Sequence, residues 1–186
     1  MTTDPKILEE TLYQASLRDQ QTVDGKGQPL RRLPHGATLK DLIVHTDERG
    51  EVMEMMDLRW QWHSDPIVFC YYFTVRPGWA KGWGMHLKHE DRYCLLRGKC
   101  KLVLYDARAD SPTHGLLTEL FFSDKRSQLI NIPAGVWHAD ENVGDGELLV
   151  VNYPTIPYDH ADPDKYRLPL DTDLIPYKFA SSVRGG

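Results

Sequence analysis

From Thr38 onward the chain is a succession of short β-rich runs, LIVH, EVMEMM, IVFCYYFTV, YCLL, KLVLY, LTELFF, QLINI and ELLVVNY. A turn signal interrupts them about every ten residues, the spacing of an all-β barrel or sandwich. Runs so short cannot bury a helical stripe, so they must pair with one another. The punctuation is supplied by Asp47 to Gly50, Arg76-Pro77-Gly78, Arg97-Gly98, Ser111-Pro112, Pro133 to Gly135 and Gly144 to Gly146. In Lys99 to Tyr105 the apolar Cys100, Leu102 and Leu104 alternate with Lys99 and Lys101, which predicts a half-buried strand.

The flanks read differently. Asp4 before Pro5 is an N-cap and first-turn pair, and Leu8, Leu12 and Ala15 recur at helical spacing, predicting one helix that ends near Asp19. Residues 24–36 (DGKGQPLRRLPHG) form a connecting arm or strand-edge extension. Five of the twelve prolines fall between Pro154 and Pro176, too many for a sheet interior, so the tail is expected to wrap the barrel. The expected organisation is one domain: helix and arm over 1–36, barrel over 37–153 and C-terminal extension over 154–186.

Twenty-two Lys and Arg against 27 Asp and Glu give a net charge of -5, which offers no global field for a nucleic-acid partner. No apolar run approaches the roughly 20 residues of a membrane span, and MTTDPKILEE lacks the order of a signal peptide, so the expectation is a cytoplasmic protein without membrane contact. Cys70, Cys94 and Cys100 are an odd number without CxxC spacing and are read as buried thiols.

Two stretches set titratable groups inside apolar strands. One runs from Gly82 to Gly98 and carries His86, His89 and Asp91; the other, Ile132 to Asn142, carries His138 in P-x-G-x-x-H-x-x-x-N. A proline and a glycine make the turn that delivers His138 onto an inward strand. The two stretches, about 50 residues apart, resemble the paired motifs of the cupin superfamily, a β-barrel jelly roll with its active site in the barrel mouth. Metal-binding cupins use two histidines and a glutamate of the first motif with the histidine of the second. Here Gly84 and Asp91 occupy the first-histidine and glutamate positions, leaving His86, Asp91 and His138, with His89 able to join only through a local bulge.

A closer resemblance lies outside those motifs. Asp47-Glu-Arg49-Gly50-Glu-Val-Met-Glu54 looks like the D-x-R-G-x-x-x-E segment of the dTDP-4-dehydrorhamnose 3,5-epimerase family, and Asp106 to Gly115 looks like its D-x-R-x-x-S-P-T-x-G turn. Trp83 to His86 stands in place of its R-G-L-H, and Pro133 to His138 in place of its P-x-G-x-x-H, over roughly Leu42 to Phe179. The resemblance implies a homodimer without a cofactor, acting on a nucleotide-linked 4-keto-6-deoxy sugar at C3, C5 or both. It implies His86 as the base, with a C-terminal aspartate beside it, Asp171 first and Asp173 second. It also implies a tyrosine acid late in the barrel; the aligned position falls on Val150 or Val151, so Tyr153 or Tyr158 is expected to replace it. Arg49, Glu54, Trp83, Lys88, Arg92 and His138 are the expected substrate contacts, Arg49 for its bidentate fit to a diphosphate.

Plainer roles compete. His138 could simply bond backbone, His86 could be a satisfied core histidine, and Arg49 could pair with Glu54 across strands. Trp83 and Trp137 could pack, or stack on a base or sugar. Two other functions compete with the epimerase: a divalent-metal cupin enzyme using His86, Asp91 and His138, such as a dioxygenase or sugar isomerase, and a non-catalytic sugar-binding cupin.

Overall fold

The computed structural model describes residues 4–186, so the first three residues of the predicted 1–36 segment lie outside the described residues. The chain divides after Arg32 into a small N-terminal unit and a larger unit, Leu33–Gly186. The small unit holds helix α1, Pro5–Ala15, capped by Asp4, whose side chain accepts from the Lys6 backbone N–H. The helix stops at Ala15, short of the expected Asp19. Ser16 turns extended, and its N–H and hydroxyl both bond the Tyr13 carbonyl, closing the last turn.

The larger unit is a jelly roll of two antiparallel sheets. One has the order β1 (Thr38–Asp41), β9 (Gln128–Ile132), β6 (Asp91–Arg97), β11 (Leu148–Asn152), β4 (Tyr71–Val75). The other has the order β12 (Tyr166–Arg167), β5 (Trp79–Met85), β10 (Val136–Asn142), β7 (Lys99–Asp106), β8 (Leu117–Ser123), and β13 (Arg184–Gly185) pairs in parallel with β5. A separate hairpin joins β2 (Val44–Asp47) to β3 (Gly50–Met53). The predicted run Ile67–Val75 forms a strand only from Tyr71, because the chain ahead of it is tied down elsewhere: the Asp65 and Pro66 carbonyls accept from Arg92.

Between the sheets Leu95, Leu102, Leu104, Leu120, Ile130, Leu148 and Val150 form the main core. Each such aliphatic side chain contributes about 1.5–3 kcal/mol when fully buried. Strand β7 is covered on both faces rather than half-buried, because the tail wraps it: Val103 joins Trp83, Ala139 and Ile175 under Leu168, Tyr177 and Phe179. A third cluster, on the outer face of the five-stranded sheet, gathers Cys94, Leu129, Val151 and Tyr153 beneath Met53, Met55, Trp60 and Trp62. Of the three cysteines, Cys94 and Cys100 are buried, whereas Cys70 is exposed because it precedes β4 at a sheet edge.

The Asp106 turn is a brace. Its carboxylate accepts from Arg108 through Nε and Nη2, each at 2.8 Å, and from the Ser111 and Thr113 hydroxyls, each at 2.6 Å. These donors hold Asp106 well below the usual carboxylate range despite its burial. Arg108 also donates to the His35 carbonyl, and its stem lies against Gly135, where an added Cβ would sit 2.9 Å from Arg108 Cδ.

Candidate active site

His86 follows the end of β5, and His138 faces it from β10. A bulge separates the strands here: Gly84 pairs with His138 and Lys81 with Asp140, so β5 spends one residue more than β10. Gly82 absorbs the bulge. Its φ is +151°, and a Cβ would lie 2.4 Å from the Ala139 methyl. Gly84, at the position where metal cupins carry a histidine, lies against the His138 ring, where an added Cβ would stand 3.5 Å from His138 Nε2. The turn before β10 grips the first motif directly, because the Gly135 N–H donates to the His86 carbonyl at 2.7 Å.

Both nitrogens of His86 are engaged. Nδ1 meets the Asp164 carbonyl, which has only lone pairs to offer, so Nδ1 carries the proton and Nε2 holds the lone pair of the neutral ring. Nε2 lies 3.2 Å from Asp91 Oδ2, and His86 is only 8% exposed. Burial works against its imidazolium, but the hydrogen bond and charge of Asp91 prevail and raise its pKa. Asp91 is the hub of the site: it receives Asn152 Nδ2 at 2.6 Å and the Tyr93 hydroxyl at 3.3 Å, with His138 Nε2 at 3.5 Å and His89 Nε2 at 3.8 Å. Burial opposes its charge, yet His86, His138 and Asn152 keep it ionised. Burial pushes His138 down to about 4 against the pull of Asp91, and it lowers His89 as well, aided by the nearby His86.

His86 and His138 wall a cavity of about 370 Å³ lined also by Tyr71, Phe73, Lys81, Trp83, Tyr93, Asp140, Lys165 and Arg167. Asp140 has a buried oxygen with no hydrogen-bond partner among the described residues, and burial together with the charge of Asp91 raises it to about 7. The donor atoms of His86, Asp91 and His138 lie within 4.8 Å of one another, a set able to hold a cation. His89 is absent from that trio and instead groups with His86 and Asp164.

Of the residues expected from sequence, the fold brings His86, His138, Asp91 and Trp83 to this place. Trp83 lines the cavity, while its ring is fully buried and packs against Tyr177 and Phe179. Trp137 packs in that same cluster. Asp171 is exposed, and its carbonyl accepts from Lys178; the C-terminal aspartate beside His86 is Asp164. Asp173 is exposed and paired with Lys178. Tyr153 lies in the outer cluster, and Tyr158 is exposed with its ring on His160. Arg49 is exposed and pairs with Asp47 rather than Glu54, which is also exposed. Lys88 reaches Asp162. Arg92 is buried, and its guanidinium donates to backbone carbonyls. Sequence reasoning missed Tyr71, Tyr93, Lys165 and Arg167 as wall residues. The alternation of Tyr71, Phe73 and Val75 marks one inward face of β4 and was the available signal.

Residues 45–166 match the family described as polysaccharide biosynthesis C-terminal domain. The chain is 35% identical over 152 residues to the "Probable low-salt glycan biosynthesis epimerase Agl13" of Haloferax volcanii, covering 81% of this chain and 97% of that one. The chain belongs to the polysaccharide biosynthesis C-terminal domain family. This family member also matches the spore coat polysaccharide biosynthesis protein SpsL of Bacillus subtilis, 28% identical over 80% of this chain and 98% of that one. Among solved structures, a dTDP sugar isomerase from Desulfovibrio desulfuricans superposes with a TM-score of 0.73 at 30% identity, covering 78% of this chain and 91% of that one. A 3,5-epimerase of Legionella pneumophila in complex with dTDP-4-keto-L-rhamnose, at 18% identity and a TM-score of 0.69, shares the fold over 81% of this chain and 82% of that one. The family member is thus of the nucleotide-sugar epimerase type that its motifs resemble, in a cupin jelly roll.

Proposed function

We propose that this protein epimerises a nucleotide-linked 4-keto-6-deoxy sugar at C3, C5 or both, with His86 as the base. The observation that carries this reading is His86 itself: a buried imidazole at the cavity wall, its tautomer set by the Asp164 carbonyl and its charged form supported by Asp91. A proton α to a ketone is removable when a positioned base takes it and the enolate is stabilised. Lys81, Lys165 and Arg167 in the wall suit an anionic, diphosphate-bearing substrate.

The reaction so written draws on no cofactor. Were a divalent ion resident on His86, Asp91 and His138, it would supply a Lewis acid to the keto oxygen. The test is incubation of the EDTA-dialysed protein with dTDP-4-keto-6-deoxyglucose, and with the UDP-linked analogue, in D2O. Deuterium should enter at C3 or C5. Its absence from both sugars refutes the epimerase and favours a sugar-binding cupin, and exchange restored only by added metal refutes the cofactor-free mechanism.

We further propose a cytoplasmic homodimer. Three free thiols suit a reducing compartment, and no helix among the described residues is long and apolar enough to cross a membrane. Strand β4 ends its sheet with Tyr72 exposed, and among the described residues the β2–β3 hairpin pairs only with itself while exposing Val44 and Val52. Such edges call for cover, and a second copy supplies it. Sedimentation at micromolar concentration should give a dimer; a monomer overturns that assignment.

A further inference from the structure

Inversion requires a proton to leave one face of the sugar ring and return to the other. Resting on the epimerase reading above, we infer that Tyr71, held by Asn152, delivers the returning proton to the face opposite His86. The proton-bearing groups of the cavity wall sort by sheet. Lys81, His138 and Asp140 come from β5 and β10, the same sheet whose β5 leads into His86, and Lys165 and Arg167 come with β12 at its edge. The facing sheet contributes two hydroxyls, Tyr71 from β4 and Tyr93 from β6.

Tyr93 donates its proton to Asp91, the carboxylate that supports the base, so its proton is already committed. Tyr71 instead accepts, from Asn152 Nδ2 at 2.9 Å, and among the described residues its own proton is left free. The β11 register explains the placement. Asn152 pairs with Tyr71 on one side and Tyr93 on the other, and Val150, two residues along the same face, pairs with Phe73. A hydroxyl carried on β4 therefore reaches the inner face where β11 itself offers leucine, valine and asparagine.

In the step, His86 Nε2 takes the ring C–H proton and the electron pair of that bond passes to the keto oxygen as an enolate. The Tyr71 O–H bond then breaks as the new C–H bond forms on the opposite face. The carbonyl is restored, and a phenolate remains, stabilised by the Asn152 amide. Tyr71 is 37% exposed, so solvent returns its proton, and His86 loses its own to solvent. A phenol is protonated at neutral pH, and burial pushes this one further up.

The test compares Tyr71→Phe and Tyr153→Phe with wild type on dTDP-4-keto-6-deoxyglucose in D2O, with melting temperature recorded for each. Tyr71→Phe should melt like wild type and keep deuterium entry within a few-fold, while inverted product falls about 10²–10⁴-fold. Tyr153→Phe should invert at the wild-type rate. Undiminished inversion by Tyr71→Phe overturns the assignment, and so does loss of exchange together with inversion in a folded variant, or loss of inversion in Tyr153→Phe alone. Absence of exchange in wild type refutes the epimerase reading itself and this assignment with it.

Discussion

His86→Asn is expected to leave a folded protein that no longer exchanges substrate hydrogen with solvent, with a loss of about 10²–10⁴-fold, the usual worth of a positioned base. An amide has no basic lone pair, so it cannot take the proton however well it fits. Folding should survive because Asp91 keeps Asn152, Tyr93 and His138 around it after the imidazole is gone. Deuterium incorporation followed by NMR, alongside a thermal melt, reads both quantities. Undiminished exchange removes His86 from the mechanism, whereas collapse of the fold makes it a core histidine.

Arg92→Met is expected to cost stability rather than substrate affinity. The side chain is 0% exposed, and its guanidinium donates to the carbonyls of Tyr153 at 2.6 Å, Asp65 at 2.7 Å, Pro66 at 2.9 Å and Pro154 at 3.3 Å. It thus ties the segment entering β4 to the end of β11. Methionine keeps the stem and leaves several buried acceptors unpaired, a loss of about 3 kcal/mol. For a chain of this size the melting temperature should fall by about 6–12 °C. Lysine should rescue only part of the loss, since one ammonium cannot span a fork of carbonyls. A variant that melts normally but binds the nucleotide sugar weakly would instead make Arg92 a ligand contact, as its sequence position first suggested.

The barrel was legible because each strand advertises itself locally, through β-branched and aromatic runs closed by glycine and proline turns. The P-x-G-x-x-H turn was legible for the same reason, since the glycine and the proline act on their own neighbours. The acid was not. Counting along β11 left Val150 and Val151 equally open, and in a strand that one-residue ambiguity exchanges the two faces of the sheet. Val150 points into the barrel core and Val151 outward, and Tyr153, two residues beyond Val151, shares the outward face and lies in the outer cluster. Asp164 was missed in favour of Asp171 because the proline-rich tail has no periodicity to fix which of its aspartates returns to the barrel. Arg92 looked like a ligand contact because a sequence shows a charge without the carbonyls that will surround it.

The Asp106 brace bears on what the recognisable segments of this chain record. Arg108 lies against Gly135, and Gly135 holds the His86 backbone, so a turn that contributes nothing to the cavity wall still fixes where the base stands. Two of the four segments that reveal kinship, around Asp47 and Asp106, lie outside the cavity lining altogether. Half of the resemblance therefore lies in scaffolding. Such a frame can stay readable while the side chains of the cavity wall differ.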